Sequence, residues 1–346
     1  MIRDPKLRSR TFLTVSIFLI CLLLTSGLLI RLLKDMDWRL FQRFGWIDIL
    51  WLLFYSATGT ASYSLSIYVL IRSLGYRTSV METYLVLTAS LSANYISFIK
   101  AGLPIRIFLY KRIMKIPVDK GTALIAIETL IGVFLTTAIA IIGCISNNID
   151  IAFGSSKLAF QGIIFIFILT GILVIWFIKT DSINISRFSS NNFISRIIGF
   201  IDRIRTGLRY IPNHAVVVTT LLSGVNLFSG AMRLQIILRV LGYDLSPVLL
   251  LYAIAMSVTA GNFSFIPMGL GIRDASLTLI LLNMGISRPV AVSVALIQRL
   301  FAPGWPLMLG LISINILGLK QFRTDKDDHN HDEINDHLIE RKKQER

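Results

Sequence analysis

Asn94 to Arg106 reads NYISFIKAGLPIR, and Asn262 to Arg273 reads NFSFIPMGLGIR. Both stretches sit inside long apolar regions and interrupt them. Glu82 to Met114 is broken by Asn94, Lys100, Gly102, Pro104 and Arg106. Ser246 to Ile286 is broken by Gly261, Asn262, Pro267, Gly269, Gly271, Arg273 and Asp274. Gly and Pro interrupt helical hydrogen bonding. At membrane depth such backbone survives only where it is buried in protein or lines a wet cavity. The two stretches are also copies of one pattern. Asn94, Phe98, Ile99, Gly102, Leu103, Ile105 and Arg106 correspond to Asn262, Phe265, Ile266, Gly269, Leu270, Ile272 and Arg273, with one inserted residue. Twelve residues after Ile116 comes Glu128, and twelve after Ile286 comes Gln298, followed by Arg299.

The rest of the chain supplies the membrane. Of 346 residues, 54% are hydrophobic and 16% charged, against about 25% charged in an ordinary soluble domain. Clean apolar runs lie at about 11–30, 46–71, 121–142, 159–178, 214–238 and 289–317. Each supplies the roughly twenty residues that a bilayer core requires. The first run lacks a small-x-small cleavage pattern and reads as a retained span. The expected fold is an all-α polytopic membrane protein. It has about six full spans plus two broken, re-entrant helical hairpins, eight hydrophobic segments in all, arranged as inverted repeats.

The net charge of +15 is a topology signal. Lys320 to Arg346 holds 7 Lys/Arg and 8 Asp/Glu, so the basic excess belongs to the membrane part. With the broken regions returning to their own side, 1–10, 72–81, 100–120 and 179–213 fall on one side with 18 Lys/Arg; the opposite loops carry 7. The positive side faces the cytoplasm. This implies a cytoplasmic N-terminus at 1–10 and a transmembrane domain at 11–319, with repeat units at about 82–143 and 246–317. A cytoplasmic amphipathic linker follows at 179–213, and a disordered cytoplasmic tail at 320–346. The expected location is the inner or plasma membrane. No basic cluster with interleaved aromatics reads as a nucleic-acid surface. Cys21 and Cys144 form no disulfide framework and no metal spacing.

Ionisable residues at membrane depth are costly and tend to be functional. The candidates are Lys100, Arg106, Glu128, Arg233, Arg273, Asp274 and Arg299. Each has a structural reading as well. Lys100 and Arg106 reach the cytoplasmic surface by snorkelling, Glu128 pairs with Arg106 or Arg299, and Asp274 caps a half-helix. The functional reading is an anionic substrate. Half-helix N-termini present free N–H groups, Gly102 and Gly269 admit a close backbone approach, and Arg106 and Arg273 clamp phosphate oxygens. The substrate-binding set is then Lys100, Gly102, Arg106, Glu128, Asn262, Pro267, Gly269, Gly271, Arg273, Asp274, Gln298 and Arg299. There is no Walker loop, no His-Glu-x-x-His and no Gly-x-Ser-x-Gly, so no enzyme activity and no cofactor is expected. Glu128 is the acidic residue placed to couple movement to protons.

These motifs resemble a known family. Ala101-Gly102 through Arg106, Glu128, Pro267-x-Gly269-x-Gly271-x-Arg273-Asp274 and Arg299-Leu300 are similar to the lysylphosphatidylglycerol synthase transmembrane family, also called flippase-like or UPF0104. The similarity covers about residues 10–320. Met268 stands at a usual glycine, Asp274 at a usual glutamate and Thr129 at a usual arginine. The resemblance implies a flippase-type membrane protein handling aminoacylated phospholipids or polyprenyl-linked glycans. Only polar tail follows Leu319, so lysyl transfer is not expected of this chain.

Two function classes follow. The first is a translocator of a lipid or lipid-linked sugar whose headgroup carries phosphate. The alternative is a membrane-embedded enzyme or non-transporting accessory subunit of a cell-envelope glycan or phospholipid pathway. The expected partners are membrane lipids, as anionic phospholipid or polyprenyl-phosphate sugar, and a glycosyltransferase or lipid-synthesis protein.

Overall fold

The computed structural model describes residues 38–96, 102–146, 171, 211–262 and 271–317. The segments 1–10 and 11–30, the span 159–178 apart from residue 171, the linker up to residue 210, the tail 320–346, and Lys100, Pro267 and Gly269 lie outside the described residues.

Among the described residues every regular element is a helix. After a short 3-10 turn at Trp38–Arg43 come α1 (Trp46–Ser73), α2 (Val80–Ile96), α3 (Gly102–Ile113) and α4 (Val118–Ser146). Then follow α5 (Asn213–Val240), α6 (Pro247–Asn262), α7 (Ile272–Asn283) and α8 (Arg288–Phe301). A further helix, α9, covers 304–317 after a turn at Ala302–Pro303. Val118–Gly143, Asn213–Val240 and Arg288–Leu317 are long and apolar enough to cross a membrane. The chain is therefore an all-α, multi-pass membrane protein.

Helix α1 has the length of a span, 28 residues, but a different composition. Ser56, Thr60, Ser62, Ser64 and Ser66 are all buried in it. The hydroxyls of Ser56, Thr60 and Ser62 donate to carbonyls three or four residues back in their own helix, which removes the cost of placing them in an apolar medium. Small side chains also allow close helix approach, the main source of packing energy where lipid is as apolar as leucine. Helix α1 uses this face against α5. Thr219 Oγ1 donates to Ser66 O and Arg233 Nη1 to Tyr55 O, so the two helices run antiparallel.

The element lengths repeat. Helices of 28, 17 and 12 residues (α1 to α3) precede α4; helices of 28, 16 and 12 (α5 to α7) precede α8. The turns repeat too. α1 ends at Leu74-Gly75-Tyr76 and α5 at Leu241-Gly242-Tyr243, with Gly75 at φ 84° and Gly242 at φ 89°. In both, the tyrosine N–H reaches back five residues, to Ile71 O and to Leu238 O, the left-handed helix stop that favours glycine. Ser79 Oγ then accepts the N–H of Glu82, and Ser246 Oγ that of Leu249, at the starts of α2 and α6. Because α1 and α5 are antiparallel, their two Leu-Gly-Tyr turns lie at opposite ends of the pair.

Two apolar cores result. One joins Ile67, Ile71, Val86, Leu87, Tyr110, Ile116 and Leu124, and takes in Ala215 from the start of α5. The other joins Leu234, Leu238, Leu250, Ala253, Leu281 and Val294, and takes in Leu52 from the start of α1 and Ala140 from α4. The long final helix of each half crosses the other half at a glycine. A Cβ on Gly310 would lie 1.8 Å from Ser92 Oγ and 2.2 Å from Thr88 O, and one on Gly143 would lie 2.5 Å from Tyr252 Cγ. Ser313 and Thr88 hydroxyls meet at 2.8 Å on the first of these crossings.

Candidate functional site

Helices α2 and α3 pack on each other, as do α6 and α7. Each contact is set by a small residue at the break. A Cβ on Gly102 would lie 2.6 Å from both Asn94 Cβ and Ser90 O, so this glycine makes room for α2 at the start of α3. Gly261 faces the stem of Arg273: a Cβ on Gly261 would lie 3.2 Å from Arg273 Cβ. Gly271 starts α7 at φ 81°, and its N–H donates to Asp274 Oδ2 at 3.1 Å. Asp274 thus occupies a first-turn capping position, where a carboxylate is favoured by the exposed N–H groups.

In each half one ion pair ties the short helix after the break to the next long helix. In the first half Arg106 of α3 meets Glu128 of α4. Nη2 lies 2.9 Å from Oε2, and both Nη atoms donate to Oε1 at 3.1 Å. Both side chains are buried. Tyr63 of α1 donates its hydroxyl to Glu128 Oε1, and the rings of Tyr63 and Tyr110 each lie 5.8 Å from the guanidinium carbon. In the second half Asp274 of α7 pairs with Arg299 of α8. The sign is reversed: the first half places its cation on the short helix, the second half its anion. The desolvation of such pairs is offset only by good geometry and further hydrogen bonds, and Glu128 has both.

Between the halves lies a cavity of about 580 Å³, within the range of small-molecule sites. Asn94, Glu128 and Thr129 line it from one half; Asn262, Arg273, Asp274, Gln298 and Arg299 line it from the other. Gly102, Arg106 and Gly271 are not in its wall: Arg106 stands behind Glu128, and the two glycines shape the helix starts. Further lining comes from α1 and α5, through Thr60, Tyr63, Asn226, Gly230 and Arg233. Gly59 gives Arg233 its place, since a Cβ there would lie 3.5 Å from Nη1 and 3.0 Å from Asn226 Oδ1. Pro303 and Pro306 line the cavity where α8 gives way to α9. Counting Arg106, the site holds four arginines and two carboxylates among the described residues. That balance favours an anion.

Tyr63, Asn226 and Gly59 escaped the sequence reading, because nothing in an apolar run marks which face meets the cavity. A usable signal did exist. Arg72-x-Leu74-Gly75-Tyr76 recurs as Arg239-x-Leu241-Gly242-Tyr243 and extends the repeat back through α1 and α5. Among the described residues no group of three or more His, Cys, Asp or Glu converges as metal ligands.

Comparison with known proteins agrees with these features. The model of a family described as "Lysylphosphatidylglycerol synthase TM region" matches residues 11–310. The chain is also 24% identical over 266 residues to a "UPF0104 membrane protein MJ1595" from Methanocaldococcus jannaschii, covering 72% of this chain and 78% of that protein.

Proposed function

Since the chain belongs to the lysylphosphatidylglycerol synthase TM region family, we propose that it is a lipid translocator whose central cavity passes the headgroup of a phosphate-bearing amphiphile across the membrane. The carrying observation is the cavity itself. It is built where the two broken motifs meet, and its arginines outnumber its carboxylates. Arg273 and Arg299 offer a phosphate the charge-assisted donors it needs. The acyl or polyprenyl tails stay in lipid, against the apolar residues that the helices expose, such as Leu221, Phe228 and Leu279.

The architecture of this reading is an inverted repeat. Helices α1 to α4 form one unit and α5 to α9 the other, with each short-helix pair a hairpin that returns to its own side. With the apolar runs at 11–30 and 159–178, the sequence supplies the six span-length segments that this architecture needs. The equal helix lengths, the paired turns and the antiparallel α1 and α5 support it. Exchange of the two units' conformations then moves access from one side of the cavity to the other. Exposed Arg72, Arg77, Lys111, Arg112, Lys115 and Lys120 cluster around the first core, and by their charge we place that end, and both termini, in the cytoplasm.

The test is reconstitution of the purified protein in vesicles carrying fluorescent phospholipid, with transbilayer movement read by chemical quenching. Movement that depends on the protein and is lost in Arg273→Ala supports translocation. Chemical turnover of the lipid without movement favours an enzyme instead.

A further inference from the structure

Helix α9 runs antiparallel to α2. Ser92 Oγ donates to Pro306 O at 3.2 Å and to Leu307 O at 3.0 Å, and one turn earlier on α2 Thr88 meets Ser313. The same register brings Leu317 level with Tyr84, one turn into α2. Leu317 is buried in the core that also holds Ile71, Tyr110, Met114 and Ile116. The chain therefore leaves α9 at the end of the molecule where α1 and α3 turn into the helices that follow them.

That end is basic. Arg72 and Arg77 flank the Leu74-Gly75-Tyr76 turn, Lys111 and Lys115 flank the end of α3, and Lys120 lies in the first turn of α4; all five are exposed. Lys120 Nζ lies 5.4 Å from the centre of the Tyr76 ring, which joins the two turns into one face. Among the described residues no carboxylate forms an ion pair with any of the five. Like charges gathered on one face repel each other, and a counter-charge relieves them.

The sequence carries that counter-charge a short way beyond Leu317. Asp325 to Glu340 reads DKDDHNHDEINDHLIE, seven Asp/Glu against one Lys, net −6 with histidine neutral. The other bases of the tail lie outside this run, at Lys320, Arg323, Arg341, Lys342, Lys343 and Arg346. Residues 318–324 reach up to about 25 Å when extended, two to three times the roughly 8–10 Å between packed helices. So short a tether holds the acidic run at about millimolar effective concentration over the end of the molecule. An anionic leaflet repels a segment of this charge, so the basic face is the favourable surface within its reach.

We propose that residues 325–340 dock on the basic face formed by Arg72, Arg77, Lys111, Lys115 and Lys120 of the same chain. Docked there, the segment bridges the turn after α1 and the turn after α3, and ties the first broken hairpin to α1. The contact is independent of what the cavity carries.

The experiment is zero-length carbodiimide crosslinking of the full chain in non-ionic detergent, with the joined carboxylate and lysine identified by mass spectrometry. The expected result is links from the carboxylates of 325–340 to Lys111, Lys115 or Lys120 within one molecule. Their yield should fall about tenfold between about 0.1 M and about 1 M salt, as the screening length shrinks from about 10 Å to about 3 Å. It should also fall in the double variant Arg72→Gln, Arg77→Gln, which removes two charges from the face and none of the three lysines. Absence of these links from the wild-type chain overturns the proposal. So do links whose yield responds to neither salt nor the double variant, which report collision of a tethered segment alone, and links confined to a crosslinked dimer. The last arm repeats the reaction in vesicles. Links kept in phosphatidylcholine but lost in phosphatidylglycerol would assign the face to anionic lipid and overturn the proposal as well.

Discussion

Arg106 on α3 and Glu128 on α4 form a buried ion pair, 2.9 Å between Nη2 and Oε2, enclosed by Tyr63 and Tyr110. Removing one partner leaves an uncompensated buried charge. Arg106→Ala and Glu128→Ala are each expected to destabilise the protein by about 3–5 kcal/mol. The double variant is expected to cost clearly less than the two together. Unfolding of the four proteins in one detergent measures this. Additive losses would mean the pair does not act as a unit.

The pair in the second half predicts a different pattern. Asp274 serves both Arg299 and the Gly271 N–H. Asp274→Asn keeps an oxygen for the N–H but loses the charge. It is expected to be milder than Asp274→Ala, by about 1 kcal/mol for the retained cap. Equal losses in the same unfolding experiment would remove the capping role.

The crossing of α9 on α2 has no room for a side chain. Gly310→Ala is expected to destabilise by at least the 1–3 kcal/mol typical of overpacking. Ser92→Ala should not rescue it, because the Thr88 carbonyl would still sit 2.2 Å from the new methyl. Gly304→Ala, with nothing within 4 Å of the added carbon, should be neutral or slightly stabilising, as alanine favours helix. Thermal midpoints in detergent separate these outcomes.

Lys115 and Gly285 occupy matching turns, before Ile116 and Ile286, at φ 55° and 85°. A left-handed residue other than glycine costs about 1–2 kcal/mol. Glycine's own entropy cost of about 0.5–1 kcal/mol offsets part of that strain. Gly285→Lys should therefore lose, and Lys115→Gly gain, about 0.5–1 kcal/mol. Two shifts of the same sign would contradict this.

The parts of this molecule legible in its sequence are those carried by local chemistry. The helical class followed from apolar run length, and the breaks at Gly102 and Gly271 from glycine. The motif pairing placed Glu128, Arg273, Asp274 and Arg299 near one another before any coordinates. Partner choice was not legible. Arg106 and Arg273 align in sequence, yet Arg106 pairs with Glu128 while it is Asp274, one residue past Arg273, that pairs with Arg299. That one-residue offset depends on helix rotation, which tertiary contacts decide. The contribution of α1 was hidden for a related reason. Ser56, Thr60 and Ser62 bond to their own helix, and only their small size against α5 reveals the buried face. Gly143 and Gly310 look like helix-weakening residues in sequence; their function appears only at the crossings.

The most direct test of the central claim is the transbilayer movement of fluorescent phosphatidylglycerol in vesicles holding the purified chain. The account predicts protein-dependent movement that Arg273→Ala abolishes. Movement at the protein-free rate for the wild-type chain, or movement unaltered in Arg273→Ala, would contradict it.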